Sequence, residues 1–554
     1  MAGYRQRFAT IGLMGLSLVT AVMPASTCLA AESQALTPDA AAGERIYRDG
    51  LLTNGTLLQG KRADGVTLSG AAAACINCHR ASGFGGAEGN LLIPPITGAV
   101  LMSPGQPWTQ RAGRASANLA RSEHSAHTRP AYTPATFSQA LTEGQSSIGR
   151  SLGYLMPRYA LDSSAINQLR AYLDTLGLKT LAGVVPQALH LATIVTDDAP
   201  TEERNATLNI TSRCLSERSP KASSDADAAR PWQWHVWRLG RDPSQWAKEL
   251  AAHQRQQPVF AVISGVSGGA WAPIHAFCEQ QKLPCILPNT AAVDDMQTSH
   301  WSFYFSRGLS LEAAALAQRM ADAAPPGGWR RIIQRTDGSA PAILAATALS
   351  RHLQQHHIDM DGATARPQRL NAIADRALAS SLSNRDALVL WVNRQTLQAF
   401  TRSTPAPGSG LLIFSSELTG SDDAPISAAW RARSWLIYPF DTPARQLARI
   451  TVNTNDWMDR SGLSLTPRLS ALQGNTYSAC EVAARALQTM RGHYSQEYFL
   501  ELVEASDEAA IATAYPRFSL GPSQRYGSKG AFILKYAAPD FKHLQASGDW
   551  ITPP

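Results

Sequence analysis

Charged residues and clusters of basic residues are scarce in this chain of 554 residues. Only 17% of the residues are charged, and 50 Lys and Arg against 43 Asp and Glu give a net charge of +7 without any basic block. Nucleic-acid binding therefore has no electrostatic basis in the sequence. Hydrophobic residues make up 44% of the chain, which is enough to build buried cores and excludes a disordered protein. At this length we expect two or three domains.

Long apolar runs are also scarce, and the one present lies at the N-terminus. Arg5 and Arg7 precede an uncharged stretch from residue 8 to residue 31, the arrangement typical of a secretory signal peptide. Pro24 and the small residues after it favour cleavage, with an uncleaved membrane anchor as the alternative. We therefore predict a signal peptide at 1–31, a periplasmic location and no membrane span after cleavage.

Cysteines are few, and their positions separate them into groups. Of the seven, Cys28 is expected to leave with the signal peptide. The four beyond position 200 can form disulfides in an exported protein, with three connectivities open. We favour Cys278 with Cys285, because the first lies near the end of a predicted helix and the second opens the next apolar segment. This leaves Cys214 with Cys480, and free buried thiols remain the alternative.

The other two cysteines belong to the sequence CINCH at residues 75–79. Its Cys-x-x-Cys-His spacing is that of c-type heme attachment, in which two thiols bond to the porphyrin and the histidine becomes an iron ligand. A thioredoxin-like site would need a buried strand before it, and a structural zinc site would need a second Cys or His pair. We predict one covalent heme c, bonded to Cys75 and Cys78, with His79 as an axial ligand.

Met156 is the best candidate for the second axial ligand. It lies in a turn-like stretch before a predicted helix, and Pro157 keeps the loop extended. The alternatives, in sequences typical of surface loops, are Met102, His124 and His127. With both axial positions filled, the iron has no open site for a substrate, which favours electron transfer over catalysis.

The sequences around this motif predict a compact domain. A helix is expected to begin after Thr37 and another after Asp162, because each of these residues can cap a helix that carries an apolar face. Between them, the carbonyl groups of Pro94 and Pro95 are free to accept a hydrogen bond from the ring of His79, which would orient this ligand.

Residues 37–178 resemble a class I cytochrome c domain. The residues that carry the resemblance are Gly43 and Tyr47 in the first helix, CINCH, PPITG at 94–98 and YLMPRY at 154–159. It implies an all-α fold around the heme. A departure from the family is the long polar stretch from residue 106 to residue 133.

The pattern changes beyond a predicted linker at residues 179–188. Short apolar runs alternate with amphipathic stretches, which predicts a parallel, doubly wound α/β structure, and about 365 residues exceed one such sheet, so we expect two lobes. The predicted strands include 189–195, 259–263, 285–287, 303–305, 332–333, 388–392, 411–414 and 435–438, and the predicted helices include 244–256, 270–281, 311–323, 342–356 and 477–490.

Ligands of such sheets bind beyond the carboxyl ends of the strands. A glycine-rich turn at 265–269 follows one predicted strand, and its free N–H groups could hold a polar or anionic group, although such turns also occur without ligands. The residues expected along this edge, which are candidates for a binding cleft, are Asp197, Ser267, Gly268, Asn289, Thr290 and Ser306.

Residues 189–554 resemble the type 1 periplasmic binding proteins of the branched-chain amino acid receptor group. The segments that carry the resemblance are residues 260–290, 302–320 and 473–487. It implies two lobes that close around a small polar ligand, whose charged end touches the loop after Ile263.

Together these features predict an exported monoheme c-type cytochrome that acts in electron transfer and carries a small-molecule-binding domain. No Ser-His-Asp or paired-carboxylate pattern is recognisable, so no catalytic residue is predicted. The expected partners are a periplasmic dehydrogenase, of the quinoprotein kind by resemblance, as electron donor, and a cytochrome or oxidase as acceptor. The alternatives are a ligand-binding or sensing protein whose heme is a reporter, and a cytochrome subunit of a dehydrogenase.

Overall fold

The computed structural model describes residues 36–88, 91–105, 129–177, 181–223, 229–293, 299–358, 367–404, 409–420, 426–506, 513–522 and 524–553. The predicted signal peptide at 1–31, Cys28, His124 and His127 lie outside these residues. The described residues belong to one compact unit. Among the described helices, none is both long enough and apolar enough to cross a bilayer.

The N-terminal part of the chain, up to residue 177, combines helices with short strands. The helices are α1 Pro38–Asp49, α2 Ile76–His79, α3 Gly98–Leu101, α4 Pro134–Thr142 and α5 Ser163–Thr175, and the strands are β1 Gln59–Lys61, β2 Thr67–Ser69, β3 Gly86–Glu88, β4 Leu91–Ile93 and β5 Arg158–Tyr159. Strands β2, β1 and β5 form one antiparallel sheet, and β3 pairs with β4.

The expectation of an all-α domain is therefore wrong for this part of the chain. The reason is local: Asp64 and Gly65 form a tight turn in which Gly65 has a φ of 89° and the N–H of Val66 donates to the Asp64 carboxylate at 3.1 Å. An Asp-Gly turn is a strong hairpin signal, and it pairs β1 with β2 instead of allowing a helix.

Helices α1 and α5 begin where the capping residues predict. The Thr37 hydroxyl accepts from the N–H of Ala40 at 3.2 Å, and the Asp162 carboxylate accepts from the N–H of Ala165 at 2.8 Å. The two helices pack closely because Gly43 has no side chain: a Cβ at this position would lie 1.9 Å from the carbonyl oxygen of Gln168. Buried side chains from both helices, among them Ile46, Tyr47, Leu169, Tyr172 and Leu173, form the core of this part.

The rest of the chain builds two lobes, each around its own sheet. The strands of lobe 1 are β6 Val184–Val185, β7 Ala188–Thr196, β8 Trp232–Leu239, β9 Ala261–Val266, β10 Cys285–Ile286, β11 Ser302–Ser306 and, from much later in the chain, β17 Tyr526–Ser528. They are parallel in the order β8, β7, β9, β10, β11, β17, and β6 pairs antiparallel with the start of β7. The predicted linker at 179–188 thus contains a strand of this sheet.

Lobe 2 contains the second sheet. Its strands are β12 Arg331–Thr336, β13 Gln368–Arg369, β14 Asp386–Trp391, β15 Leu411–Ser415, β16 Ser434–Tyr438, β18 Phe532–Tyr536 and β19 Leu544–Ala546. Their order is β13, β12, β14, β15, β16, β18, β19, with the first five parallel and the last two antiparallel.

Helices cover the sheets of both lobes. They are α6 Thr201–Arg218, α7 Trp246–Gln256, α8 Ala272–Gln281, α9 Gly308–Asp322, α10 Ala340–Gln355, α11 Ala372–Ser380, α12 Arg394–Ser403, α13 Ser416–Thr419, α14 Ala428–Arg431, α15 Pro443–Ile450, α16 Asp456–Arg460, α17 Ser470–Met490 and α18 Gln496–Glu504. Each strand and helix predicted for this part overlaps an observed one. The predicted two-lobed α/β architecture is confirmed.

The chain crosses between the lobes more than once. It enters lobe 2 after β11, returns after β16 so that α17 packs on α6 and β9 of lobe 1, and passes through β17 before it ends in lobe 2. Both lobes are therefore interleaved in sequence.

The described residues contain two disulfides, with the pairing favoured from the sequence. Cys278 at the end of α8 bonds to Cys285 in β10, and Cys214 in α6 bonds to Cys480 in α17. The alternative of free thiols is wrong for these four residues. The thiols of Cys75 and Cys78 are not paired in a disulfide.

Candidate functional site

One cavity in the N-terminal part contains every residue predicted to hold the heme. Cys75 precedes the single turn of α2, so the side chains of Cys75, Cys78 and His79 follow each other at helical spacing on one side. These three residues and Met156 line a cavity of about 1110 Å³, which we call the cofactor cavity. Its volume is slightly above the usual range of small-molecule and cofactor pockets, roughly 300–1,000 Å³.

A hydrogen bond to the backbone orients the ring of His79. Its Nδ1 lies 3.0 Å from the carbonyl oxygen of Pro94, which confirms the predicted hydrogen bond. Because a carbonyl only accepts, Nδ1 donates and Nε2 keeps a free lone pair. Burial lowers the pKa of His79 to about 4, and the bond to Pro94 only partly offsets this effect. The imidazole is therefore neutral at neutral pH, as a metal ligand must be.

The surroundings of Cys75 argue against a thioredoxin-like site. Burial raises the pKa of the Cys75 thiol to about 12, whereas a redox-active cysteine is a thiolate with a lowered pKa. The segment before it is a 3₁₀ helix at Gly70–Ala73 and not the strand of a thioredoxin-like site. In the part of the chain that the structure describes, no three His, Cys, Asp or Glu side chains are grouped to hold a metal ion.

Met156 lies on the loop that leads into β5. Its N–H donates to the carbonyl of Gly153 at 3.1 Å, and the guanidinium of Arg158 donates to the carbonyl of Met156, so the backbone of the loop is held by its own residues. Met102 lies just after α3 and packs on the core, and it is not among the described residues that line the cofactor cavity.

The residues present fit a heme c. The cavity offers two thiols, a neutral imidazole and a thioether, and its walls are mainly apolar, with contributions from Leu68, Leu101, Phe137, Leu141, Leu169 and Leu173. Such a wall excludes water around an iron ligand set. Arg62, Arg129 and Arg150 also line the cavity and supply positive charge for carboxylate groups.

Part of the cavity wall comes from lobe 1, which the sequence analysis did not predict. The residues concerned are Leu181, Val184, Arg230, Gly492, His493 and Tyr494. The guanidinium of Arg230 lies over the ring of Tyr494, 5.1 Å from its centroid. No local pattern links these positions to CINCH, because more than 100 residues separate each of them from it.

Several of the residues predicted to line a cleft at the strand ends form hydrogen bonds or ion pairs with other residues of the chain. The N–H of Gly268 donates to the Asp198 carboxylate at 3.2 Å. The expectation that this N–H is free to hold a ligand is therefore wrong. Asp197 forms an ion pair with Arg238 at 3.2 Å. The Oγ of Ser267 is buried without a hydrogen-bond partner.

The remaining candidates also have partners nearby. The Nδ2 of Asn289 donates to the hydroxyl of Thr476 in α17 at 2.9 Å, which ties the end of β10 to this helix. Thr290 accepts from the N–H of Ala292 at 3.3 Å. Ser306 accepts from the N–H of Gly308 at 2.9 Å, where α9 begins. The structure therefore places these residues at strand ends, with roles in the local backbone.

The structure also contains a group of buried acids that was not predicted from the sequence, near the point where the chain enters lobe 2. One oxygen of Glu312 accepts from the N–H and hydroxyl of Ser416 at 3.1 and 3.0 Å and from the N–H of Glu417 at 3.1 Å. The hydroxyl of Tyr515 donates to Glu417 at 3.1 Å. Burial raises the pKa of Glu312 to about 8 and that of Glu417 to about 7. These residues are about 100 positions apart, so the sequence carries no signal for the group.

Comparisons with known proteins give information on the fold alone. No protein-family profile and no curated protein matches the chain. A substrate-binding protein of an ABC transporter from Aeropyrum pernix is similar in structure, with a TM-score of 0.50 and 15% identity over 66% of this chain and 96% of that chain. A branched-chain amino acid ABC transporter protein from Thermus thermophilus, solved with bound valine, has a TM-score of 0.48 and 10% identity over 67% and 97%.

The two-lobed part thus has the fold of type 1 periplasmic binding proteins, over about 66% of the chain. A fatty acid ABC transporter substrate-binding protein from Thermomonospora curvata is a further similar structure, with a TM-score of 0.46 and 11% identity over 68% of this chain and 95% of that chain. The resemblance of residues 37–178 to cytochrome c stays a prediction.

Proposed function

We propose that the protein is a periplasmic ligand-binding protein whose covalent heme c responds to the state of the binding domain. The observation that carries the proposal is the shared wall of the cofactor cavity: lobe 1 of a binding-protein fold contributes Arg230 and the turn at 492–494 to the cavity that contains CINCH. A heme placed there is in contact with both parts of the molecule.

The residues of the chain have distinct tasks in this proposal. Cys75 and Cys78 would bond to the porphyrin, and His79 and Met156 would be the axial ligands. The Pro94 carbonyl keeps the His79 ring oriented, and burial keeps it neutral. The apolar wall excludes water from the ligand set. When bound, heme c supplies a one-electron redox couple.

The ligand of the two lobes is proposed to be a small molecule with a polar group. Open parallel sheets bind ligands beyond the carboxyl ends of their strands, and Asp197, Asn289 and the unpartnered hydroxyl of Ser267 lie there. Among the similar proteins, one was solved with bound valine and another is a fatty acid transporter protein. Valine and fatty acids are therefore the first probes to use.

Two measurements test the proposal. The visible spectrum of the purified, exported protein, before and after extraction with acidified acetone, reports whether a heme is attached covalently. Thermal-shift titration with valine, other amino acids and fatty acids, combined with a redox titration of the heme, reports whether a ligand changes the heme. A heme potential unchanged by a ligand that raises the melting temperature would contradict the reporter function.

Electron transfer is the second candidate function, and the ligand set favours it. His79 and Met156 line the same cavity, so a heme held by both would have no open coordination site. In this case a periplasmic dehydrogenase, of the quinoprotein kind, is the donor, and a cytochrome or oxidase is the acceptor. Rapid reduction by such a dehydrogenase without any ligand of the lobes would support this function.

A further inference from the structure

The turn that follows His79 is held by contacts inside the N-terminal part. We call residues 80–85 the proximal turn. The hydroxyl of Tyr47 donates to the carbonyl of Arg80 at 2.7 Å, and the N–H of Gly85 donates to the carbonyl of His79 at 3.1 Å. Arg80 has a φ of 65°, a backbone conformation that costs energy for a residue with a side chain. The backbone that follows His79 is therefore held in one conformation.

Helix α18 of lobe 1 holds the other side of the proximal turn. One oxygen of the Glu501 carboxylate accepts from the N–H of Ser82 at 2.9 Å, and the second accepts from the hydroxyl of Ser82. The Ser82 hydroxyl in turn accepts from the N–H of Phe84 at 3.0 Å. Ser82 and Glu501 are both buried, so water does not compete for these bonds.

Two further contacts flank this pair in a regular pattern. Arg80 forms an ion pair with Glu504 at 3.1 Å, and the ring of Phe84 stacks on that of Tyr498. Residues 498, 501 and 504 are three apart and lie along one side of α18, and they meet residues 84, 82 and 80 in that order. Glu504 also accepts from Arg525 of lobe 1. Residues 80, 82 and 84 of the proximal turn thus each contact a side chain of α18.

We propose that Glu501 is a positioning residue for the heme: by holding Ser82 it fixes the proximal turn, and so the ligand His79, to the binding domain. This inference rests on the proposed heme and adds the route by which lobe 1 acts on it. The opposite end of the same helix packs on the sheet of lobe 1, where Gln496 donates to the carbonyl of Phe260 at 3.1 Å. Burial raises the pKa of Glu501 to about 7 against the opposing effect of the Ser82 bonds, which is consistent with a carboxyl group closed off from solvent.

The test is a redox titration of the full-length, heme-loaded protein and its Glu501→Gln variant. Glutamine keeps the volume but replaces one accepting oxygen by an NH₂ group, so the Ser82 hydroxyl can no longer donate to this side chain and can only accept from it. We expect the ratio of reduced to oxidised heme, measured at the midpoint potential of the wild type, to change about fivefold, the lower end of typical coupling between two sites.

Ser82→Ala is the second variant, and Glu497→Gln is the matched control. Ser82→Ala removes one of the same bonds from the other side, so we expect a shift of the same sign and no further shift when it is combined with Glu501→Gln. Glu497 lies one turn before Glu501 on the same helix and contacts His300 at 3.0 Å, so its variant removes a nearby charge without removing a bond to the proximal turn and should shift the potential less than Glu501→Gln does.

The possible outcomes distinguish a failure of the role of Glu501 from a failure of the proposed function. Heme-loaded Glu501→Gln and Ser82→Ala proteins with wild-type potentials would overturn the role of Glu501 and leave the proposed function standing. An equal shift in Glu497→Gln would also overturn it, because a general effect of charge would then suffice. Wild-type protein without covalent heme would overturn the proposed function itself.

Discussion

The ring of Phe84 lies on the ring of Tyr498 with their centroids 4.3 Å apart and their planes inclined by 15°. These residues come from the two ends of the chain, and their contact joins the proximal turn to lobe 1. Stacked aromatic pairs contribute about 0.5–1.5 kcal/mol beyond their buried area. A double-mutant cycle with Phe84→Leu and Tyr498→Leu should give a coupling of this size in the free energy of unfolding.

The control for this cycle is Tyr154→Leu. Its side chain is 53% exposed, and it makes no ring contact with Phe84 among the described aromatic pairs. Its effect should add to that of Phe84→Leu within about 0.5 kcal/mol. Additivity of Phe84→Leu and Tyr498→Leu would contradict the stacking contribution.

Met156→Ala should remove the sulfur-to-iron charge-transfer band from the oxidised protein. The reason is that Met156 is the methionine that lines the cofactor cavity among the described residues, and a thioether ligand is needed for this band. The measurement is the visible spectrum. Met102→Ala is the matched control and should keep the band, and a band that survives in Met156→Ala would assign the sixth position to another residue.

Gly43→Ala should destabilise the N-terminal part by about 2 kcal/mol or more. A methyl group there would lie 1.9 Å from the Gln168 carbonyl oxygen, which is backbone in α5 and has little room to move. Denaturant unfolding monitored by heme absorbance measures the change. Gly86→Ala serves as a control because nothing lies within 4 Å of its added Cβ, so its effect should stay within about 0.5 kcal/mol. Equal effects of both variants would show that α1 and α5 separate easily.

Glu312→Gln should make the protein more stable at pH 8 than at pH 5, relative to the wild type. Burial raises the pKa of Glu312 from 4.5 to about 8, so the folded state binds this proton more tightly than the unfolded chain. The wild type therefore loses stability as the pH rises from about 4.5 to about 8. Glutamine stays neutral and keeps an acceptor for Ser416, so the difference between variant and wild type should grow by at least about 1.4 kcal/mol, the value of one pKa unit.

Thermal unfolding across this pH range measures the effect. Glu202→Gln is the control, because its side chain is 73% exposed, and its difference from the wild type should not depend on pH by more than about 0.5 kcal/mol. If the stability of Glu312→Gln changes with pH in parallel with that of the wild type, folding does not raise the pKa of Glu312, and the prediction is wrong.

The two disulfides should differ in the stability they provide. The Cys214–Cys480 bond spans 266 residues and the Cys278–Cys285 bond spans 7. Loss of loop-closure entropy predicts a stabilisation of ~5.6 kcal/mol for the first and ~2.5 kcal/mol for the second. Double alanine variants of each pair, compared by denaturant unfolding, should show this order. Equal losses would indicate that the unfolded chain is already compact between Cys214 and Cys480.

Features that depend on neighbouring residues could be predicted from the sequence. The caps at Thr37 and Asp162 act on N–H groups three residues later, and the alternation of strands and helices in the lobes is visible within windows of about 10–20 residues. The bond from His79 to Pro94 spans only 15 residues. For the same reason, the missed hairpin at Asp64 was within reach of the Asp-Gly turn signal.

Contacts across long separations could not be predicted in this way. Ser82 and Glu501 are 419 residues apart, and neither has an unusual local sequence. The Asp198 carboxylate that occupies the N–H of Gly268 is 70 residues away. One sequence gives the types of residue available, but only the folded chain shows which of them meet.

The bond between Cys214 and Cys480 has a consequence for proteolysis. All of β12 to β16 lies between these two cysteines, so a protease that cuts once anywhere in those strands or their connections severs the backbone without releasing a fragment. The clipped protein should migrate as a single band on a non-reducing gel and as two bands after reduction. Damage to lobe 2 in the periplasm would thus leave the piece that contains α18 attached to the piece that contains CINCH.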